Sequence, residues 1–188
     1  MEVTSKTEFI IDEARSLFFS QGIKRVTTEK ICSQCGISKR TFYKVFKNKY
    51  QVAQRVLEIH LDREYNFFLE IRKGDLSFKE KILAITNHEL EACENVEYIF
   101  FKDVLENCTE LQEFIRDRTR DSQRYYYEFI LDEQAKGNIR SDISPSYITH
   151  LLINTSSQLI FDPVVEKAYP NFKKRTQTVV ETLLSGFL

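Results

Sequence analysis

The sequence predicts an all-α protein. Its 188 residues are rich in Leu, Ile, Phe, Glu, Lys and Arg, and only five Gly and three Pro interrupt them, which leaves few turn residues for a many-stranded sheet. A hydrophobic content of 42% can form a buried core in one or two compact domains. Apolar periodicity predicts about nine helices, three in an N-terminal domain of residues 1–49 and the others in a C-terminal domain of residues 50–188.

The first predicted helix begins at a capping box made by Ser5 and Glu8 and ends at Gly22. Thr27 or Thr28 can cap a second, short helix. The inward face of that second helix consists of Ile31, Cys32 and Cys35.

A third short helix follows a turn at Gly36, with Ser38 as its cap and residues 39–46 as its body. Phe42 and Phe46 are four residues apart, so they lie on one face of this helix and point inward. Two short helices joined by a Gly-containing turn form a helix-turn-helix, in which the second helix enters the major groove of DNA.

Charge is distributed unevenly along a chain whose net charge is −1. Residues 1–55 carry 11 Lys and Arg against 5 Asp and Glu, whereas the remaining residues carry 16 basic and 23 acidic side chains. A basic N-terminal segment suits a protein that binds a polyanion, because cations displace condensed counterions from phosphates. The charge pattern therefore supports DNA binding by the N-terminal domain.

The C-terminal domain is predicted from apolar periodicity and from its helix-ending residues. A long connecting helix should end near Gly74, and another long helix should end at Gly137. Ser144 can cap, and Pro145 can start, the helix that follows. The predicted helical ranges are 50–73, 78–94, 96–107, 111–136, 145–163 and the residues after 170.

Residues 10–52 resemble the N-terminal domain of the TetR family of bacterial regulators. The matching residues, at family spacing and without insertion, are Ala14, Leu17, Phe18, Gly22, Thr27, Thr28, Ile31, Gly36, Ile37, Ser38, Thr41, Tyr43, Phe46, Lys47 and Lys49. Val45 departs from the His or Tyr usual in the family, and Arg40 from its frequent Gly or Pro. Cys32 and Cys35 stand where the family usually has Ala.

Candidate DNA contacts are assigned by position around the third helix. Residues that lead a recognition helix face base edges, and residues that flank it reach phosphates. We therefore assign base-edge contacts to Lys39, Arg40, Thr41 and Lys44. We assign phosphate contacts to Thr28, Tyr43 and Lys49.

The resemblance implies a ligand-responsive regulator, in this family most often a repressor that leaves DNA when a small molecule binds its C-terminal domain. Two recognition helices spaced by a turn of DNA read a palindromic operator in double-stranded DNA, which implies a homodimer. The last two helices are the natural dimer surface, because paired helices with exposed apolar stripes need a partner. The candidate dimer residues are Leu151, Leu152, Thr155, Leu159, Val180, Leu183, Leu184 and Phe187.

Aromatic residues concentrate between positions 50 and 136, together with two of the three His. These rings either fill a core or line a cavity for a mainly apolar or aromatic small molecule. The candidate ligand-binding residues are Phe67, His88, Phe100 and Tyr126.

Two other interpretations of the DNA-binding domain stay open. One is a chromosome-organising adaptor that binds many DNA sites and a protein partner in place of a metabolite. The other is a thiol redox switch at Cys32 and Cys35, for which the alternative is simple packing of two small apolar side chains.

Several functions are excluded by missing motifs. The sequence contains no G-x-S-x-G, no Gly-rich phosphate loop and no H-E-x-x-H, so we expect no enzyme, no cofactor and, from a single Cys pair, no metal site. No apolar run approaches the roughly 20 residues that cross a bilayer, and residues 1–6 lack the apolar core of a signal peptide. We expect a cytoplasmic protein without membrane contact, and four Cys that remain reduced.

Overall fold

The computed structural model describes residues 3–93, 100, 102–104, 108–160 and 162–186, and all regular secondary structure in these ranges is helical. This confirms the all-α prediction. The α-helices in these ranges are α1 (Val3–Arg25), α2 (Thr28–Gln34), α3 (Lys39–Tyr43), α4 (Lys49–Lys73), α5 (Phe78–Cys93), α6 (Gln112–Ala135), α7 (Pro145–His150), α8 (Ser156–Ile160), α9 (Pro163–Ala168) and α10 (Phe172–Leu184). A 3-10 turn at Thr109–Leu111 precedes α6, and a π-helical turn at Leu151–Thr155 joins α7 to α8.

Helix α1 breaks at Gly22, whose backbone angles of φ 75° and ψ 158° are not helical. Gly adopts a positive φ without steric penalty, and the sequence places the end of the first helix at this residue. The chain nevertheless continues helically to Arg25. Ile23 and Val26 are both buried, and their burial holds this additional turn against the core.

The capping residues of α2 and α3 agree with the sequence. The Thr27 side chain accepts a hydrogen bond from the Lys30 backbone N–H at 3.2 Å, and the Ser38 side chain accepts one from the Thr41 N–H at 3.1 Å. Between the two helices Gly36 has a φ of 62°, the left-handed conformation that Gly adopts most easily. The helix-turn-helix is therefore built from local signals.

Two differences from the predicted helices concern the C-terminal part. The single helix expected at 145–163 is divided by the π-helical turn, and a further helix, α9, follows it. Asp162 caps α9 by accepting hydrogen bonds from the N–H groups of Val164 and Val165, and Pro163 occupies its first turn. Such an Asp-Pro pair is a helix-start signal, so the start of α9 could have been predicted from the sequence. Residues 100 and 102–104 are helical, and the rest of the helix expected at 96–107 lies outside the described residues.

The chain packs into two compact units, residues 1–65 with 92–115 and residues 66–91 with 116–188. We expected a division between residues 49 and 50 instead. The first unit extends beyond residue 49 because it includes α4 up to residue 65, through buried side chains such as Val52 and Val56. Phe100 and Leu111 also pack there.

Each unit has its own apolar core. The first core comprises Ile10, Ile11, Ala14, Leu17, Phe18, Ile23, Val26, Ile31, Cys32, Cys35, Phe42, Phe46, Val52, Ala53, Val56, Leu57, Phe100, Val104, Cys108 and Leu111. The second core comprises Phe68, Phe78, Ile82, Ile85, Phe129, Ile130, Ile139, Ile148, Val180 and Leu184. None of the helices in the described part of the chain has the length and apolar character needed to span a bilayer.

A buried carboxylate lies beside the second core. Glu133 of α6 is fully buried, and its two oxygens accept hydrogen bonds from Lys81 at 3.1 Å, Lys136 at 3.0 Å and Asn138 at 2.7 Å. Burial alone would raise the pKa of Glu133, but the donated bonds from Asn138, Lys136 and Lys81 outweigh it and lower that pKa below its ordinary value. Lys81 also donates to the carbonyl of Arg72 at 3.3 Å, so the network ties α4, α5 and α6 together.

Replacing Lys81 with Met should destabilise the protein, because it leaves the buried Glu133 carboxylate with fewer partners. We expect the free energy of unfolding to fall by about 3–5 kcal/mol at neutral pH. A carboxyl group with a lowered folded-state pKa stabilises the protein above its unfolded pKa and loses that contribution as the pH falls. The Lys81→Met protein, in which the pKa of Glu133 rises, should therefore lose this contribution at higher pH than the parent.

Urea unfolding between pH 4 and 7 measures both effects. Lys136→Met is the matched control, because Lys136 contacts the same carboxylate but is about half exposed, and it should have a smaller effect. If Lys81→Met stayed within about 0.5 kcal/mol of the parent, the buried network would not stabilise the fold.

Candidate nucleic-acid interface

The recognition helix α3 is fixed by one cap and two buried rings. Phe42 and Phe46 are at most 4% exposed in the first core, with their ring centroids 5.8 Å apart. Because they occupy the inner face, Lys39, Arg40, Tyr43 and Lys44 lie on the exposed face. Four of the seven residues predicted to contact DNA thus share one surface.

Lys39 is paired in the free protein. Its Nζ lies 2.5 Å from Oε1 of Glu29 on α2, and both side chains are more than half exposed. The hydrogen bond from Lys39, followed by bonds from the Glu29 backbone N–H and Thr27, lowers the pKa of Glu29 to about 2. An exposed pair of this kind is weak, so a DNA phosphate or base can replace the carboxylate when Lys39 binds DNA.

Tyr43, Thr41 and Thr28 complete the predicted surface. Tyr43 is 54% exposed and places its ring edge on Phe42 at a centroid distance of 5.5 Å and an angle of 90°. Thr41 and Thr28 are half-buried, and the Thr41 hydroxyl lies 3.0 Å from that of Ser38. The Phe42 contact supports the Tyr43 ring at the edge of the recognition helix.

Lys49 has a different environment from the one we expected. Its ammonium donates hydrogen bonds to the carbonyls of Ile23 at 2.7 Å, Val26 at 2.8 Å and Lys24 at 3.3 Å. Three acceptors match the three N–H donors of an ammonium, and burial lowers the pKa of Lys49. Its geometry therefore favours closing the carboxyl end of α1 over the phosphate contact assigned from the sequence.

This helix-turn-helix matches the family model described as bacterial regulatory proteins, tetR family, over residues 10–56. Residues 10–56 form a TetR family DNA-binding domain. The chain is a DNA-binding transcriptional regulator, and that family is not one of enzymes.

The proteins that the whole chain resembles are distant in sequence. The HTH-type transcriptional repressor KstR2 of Mycolicibacterium smegmatis is 22% identical over 156 residues, which cover 81% of this chain and 76% of that protein. Salmonella enterica GusR has the same fold with a TM-score of 0.74 and 18% identity, over 98% of both chains. The complex of SmeT, a repressor of Stenotrophomonas maltophilia, with triclosan aligns with a TM-score of 0.79 and 18% identity, over 98% of this chain and 92% of that one.

Phe100 and Asp103 contact α1. The Phe100 ring is fully buried, stacked on Phe18 at 5.7 Å and tilted against Phe19 at 5.4 Å. Asp103 accepts a hydrogen bond from the Lys24 backbone N–H at 3.3 Å. Phe100 therefore belongs to the first core, in contrast to its predicted place in a C-terminal ligand pocket, because its ring completes the packing around Phe18.

The two cysteines of α2 and its cap have the environment of core residues. Cys32 and Cys35 are buried, and burial raises the pKa of both thiols, that of Cys35 to about 11. Neighbouring carboxylates, Glu29 for Cys32 and Glu13 for Cys35, raise these pKa values further. A protonated, buried thiol reacts slowly with oxidants, which favours the packing interpretation over a redox switch. The described residues contain no group of three or more possible metal ligands.

The other candidate ligand residues lie in the second unit in two neighbouring groups. Phe67 and His88 stack with centroids 3.8 Å apart and an interplanar angle of 9°. Tyr126 lies with its ring 4.9 Å from Phe68, next to Tyr125. Phe67 and Phe68 are adjacent on α4, and successive helix residues point about 100° apart, so the two groups leave that helix in different directions. A single site for Phe67, His88 and Tyr126 stays a prediction.

The predicted dimer residues divide between the protomer core and its surface. Val180 and Leu184 are 6% and 0% exposed in the single chain and belong to the second core, so they cannot form the surface that we assigned to them. Leu151, Leu152 and Leu183 pack partly against the same core. Thr155 and Leu159 are half-buried, and Phe187 lies outside the described residues.

We expect Lys49 and Lys47 to affect DNA binding in different ways. Lys49→Met should lower the free energy of unfolding by about 1–3 kcal/mol, because three carbonyls lose their donor, and should leave the salt dependence of binding to random-sequence duplex DNA unchanged. Lys47 is exposed two residues earlier, and Lys47→Met should leave stability unchanged and lower the salt slope by about one unit.

Urea unfolding and salt titration of DNA binding distinguish these effects. If Lys49→Met kept the parental stability and lowered the salt slope of DNA binding by about one unit, the result would support the phosphate contact predicted from the sequence.

Proposed function

We propose that this TetR family regulator is a homodimeric repressor that binds a palindromic operator and leaves it when a small molecule binds the second unit. The observation that carries the proposal is the exposed face of α3. A short helix held by the Ser38 cap and by Phe42 presents Arg40, Tyr43 and Lys44 outward. These are the side-chain types that read base edges and hold phosphates.

Arg40 is the residue to which we assign base reading within this surface. It lies in the first turn of α3 and is exposed, and the leading residues of a recognition helix meet base edges. Arg forms bidentate hydrogen bonds with guanine in the major groove. Lys44 is the C-cap residue of α3, one turn after Arg40, and it is also exposed.

Homodimerisation is proposed from the size of this surface. One helix of five residues reads only a half-site, and two copies related by a twofold axis read a palindrome with half-sites one turn of DNA apart. The half-buried Leu151, Leu152, Thr155 and Leu159 support an interface along the segment from the π-helical turn to α8. We now exclude Val180 and Leu184 from that surface.

Arg40→Ala should change the sequence preference of the repressor. In a selection from randomised duplex DNA, we expect the parent to enrich palindromic sites and the variant to lose selectivity at one base pair in each half-site, with an affinity loss of about 1–3 kcal/mol. Sedimentation of the complex should give two protomers for each enriched site.

Arg120→Ala is the control, since Arg120 is an exposed Arg in the second unit, and it should select the same sites as the parent. Failure of the parent to enrich any sequence would contradict operator recognition. An unchanged preference in Arg40→Ala would remove that residue from base reading.

The effector is proposed to be mainly apolar or aromatic and to bind among Phe67, His88 and Tyr126. Aromatic rings offer large flat contact areas, and an imidazole can orient a polar end of a ligand. The SmeT complex with triclosan supports a ligand of this class in a protein of the same fold. The connecting helix α4 is continuous from the first unit into the second, so a ligand that displaces its second half acts on an element shared with the DNA-binding unit.

We expect one compound of a panel of apolar aromatic molecules, including triclosan, to raise the melting temperature of the protein. A ligand present at 100 times its Kd adds about 2.7 kcal/mol to the free energy of unfolding. Tyr126→Ala should diminish the shift, whereas Tyr169→Ala, which removes a ring 40% exposed on the surface, should leave it unchanged. The repressor would not be controlled by such a ligand if no compound stabilised it or if the stabilising compound left operator affinity unchanged.

A further inference from the structure

A cleft of about 350 Å³ opens between α6 and α7 in the second unit. Its lining residues are Gln123, Arg124, Tyr127, Ser146, Thr149 and His150. All six side chains carry hydrogen-bonding groups, and none is a carboxylate. This composition contrasts with the acidic excess of the chain beyond residue 55.

We propose that this α6–α7 cleft binds a small anionic molecule with a carboxylate or phosphate group, and that an aromatic ring on that molecule packs against Tyr127. The proposal goes beyond the apolar effector site, because the cleft residues are polar and differ from Phe67, His88 and Tyr126. It does not depend on DNA binding or on repression.

The two walls of the cleft are held in place without a ligand. The loop between α6 and α7 is fastened by Gln134, whose Nε2 donates to the carbonyls of Arg140 at 2.8 Å and Ile143 at 2.9 Å. Ile130 on α6 and Ile148 on α7 are fully buried in the second core. A preformed site loses less conformational entropy when a ligand binds than a site that must order itself.

Arg124 supplies the positive charge of the cleft. Its Nη2 lies 3.2 Å from Oδ1 of Asp121, one turn earlier on α6, and the two side chains are 72% and 51% exposed. An ion pair so exposed contributes little to stability. The guanidinium can therefore turn from Asp121 to an anionic ligand, with which it forms two parallel hydrogen bonds.

His150 supplies a second hydrogen-bond donor. The Asn154 amide nitrogen lies 3.1 Å from Nδ1 of His150, and because an amide nitrogen only donates, Nδ1 accepts. In a neutral imidazole the proton is then carried by Nε2, which donates. The other polar groups of α7 in the cleft are hydroxyls, and that of Thr149 already donates to the Pro145 carbonyl at 2.8 Å.

Tyr127 gives the cleft its preference for a ring. Its side chain is 37% exposed, on α6 one turn from Gln123 and beside Arg124. An aromatic carboxylate can stack on the phenol ring while its anionic group reaches the guanidinium. A neutral amide of the same shape keeps the stacking contact but loses the charge-assisted bonds.

Calorimetric titration of the full chain with benzoate, benzamide and inorganic phosphate tests the proposal. We expect saturable benzoate binding, about tenfold or more stronger than benzamide binding. Arg124→Gln should weaken benzoate and phosphate binding by about tenfold or more. Arg120→Gln is the matched control, because Arg120 pairs with Asp117 at 3.1 Å with the same spacing and 74% exposure on the same helix, and it should bind as the parent does.

The proposal would be overturned if neither benzoate nor phosphate bound saturably up to about 10 mM, a range that includes millimolar affinities. Equal weakening of binding in both Arg variants would also overturn it. So would dissociation of protomers in Arg124→Gln, measured by sedimentation, since the cleft would then be covered by a second copy. None of these results bears on operator selection, so failure of the cleft and failure of the repressor function are distinguishable.

Discussion

The ammonium of Lys49 closes the carboxyl end of α1, and the geometry of the DNA-binding unit depends on that contact. Because α1 ends at Arg25, the carbonyls of Ile23, Lys24 and Val26 lack the partners that a continuing helix would give them. One cation bonds all three, at the helix end where the dipole is negative. Lys49 is also the first residue of α4, so the same contacts fix the start of the helix that leads into the second unit.

The recognition surface exists because the first core takes the opposite face of α3. A helix of five residues does not form by itself in water, and the Ser38 cap together with the burial of Phe42 stabilises it here. The net positive charge of that surface is smaller than its number of basic side chains, since Glu29 pairs with Lys39 in the free protein. The predicted contact of Lys39 with DNA therefore requires the Glu29 carboxylate to give way to phosphate or base.

The sequence predicts local features of this fold well and distant contacts poorly. Thr27, Gly36 and Ser38 act within four residues of themselves, so their caps and turn could be predicted from spacing alone. The acceptors of Lys49 lie more than 20 residues away, and no periodicity reveals them. Val180 and Leu184 show a related limit, because an apolar helix stripe that faces the protomer core has the same pattern as one that faces a second subunit. The Asp162-Pro163 signal for α9, in contrast, is local and could have been recognised.

The aromatic residues show why ligand chemistry is harder to predict than fold. Successive residues on a helix point about 100° apart, so the run Tyr125, Tyr126 and Tyr127 cannot face one site. Tyr125 and Tyr126 contact Phe68 of the second core, whereas Tyr127 turns outward to the cleft beside Arg124. A ring packed inside the unit favours an apolar ligand, which is easily desolvated, whereas a ring beside a guanidinium favours an anionic ligand. The same three consecutive residues therefore lie on two kinds of surface, and the packing of α6 against its neighbours decides which ring lies on which surface.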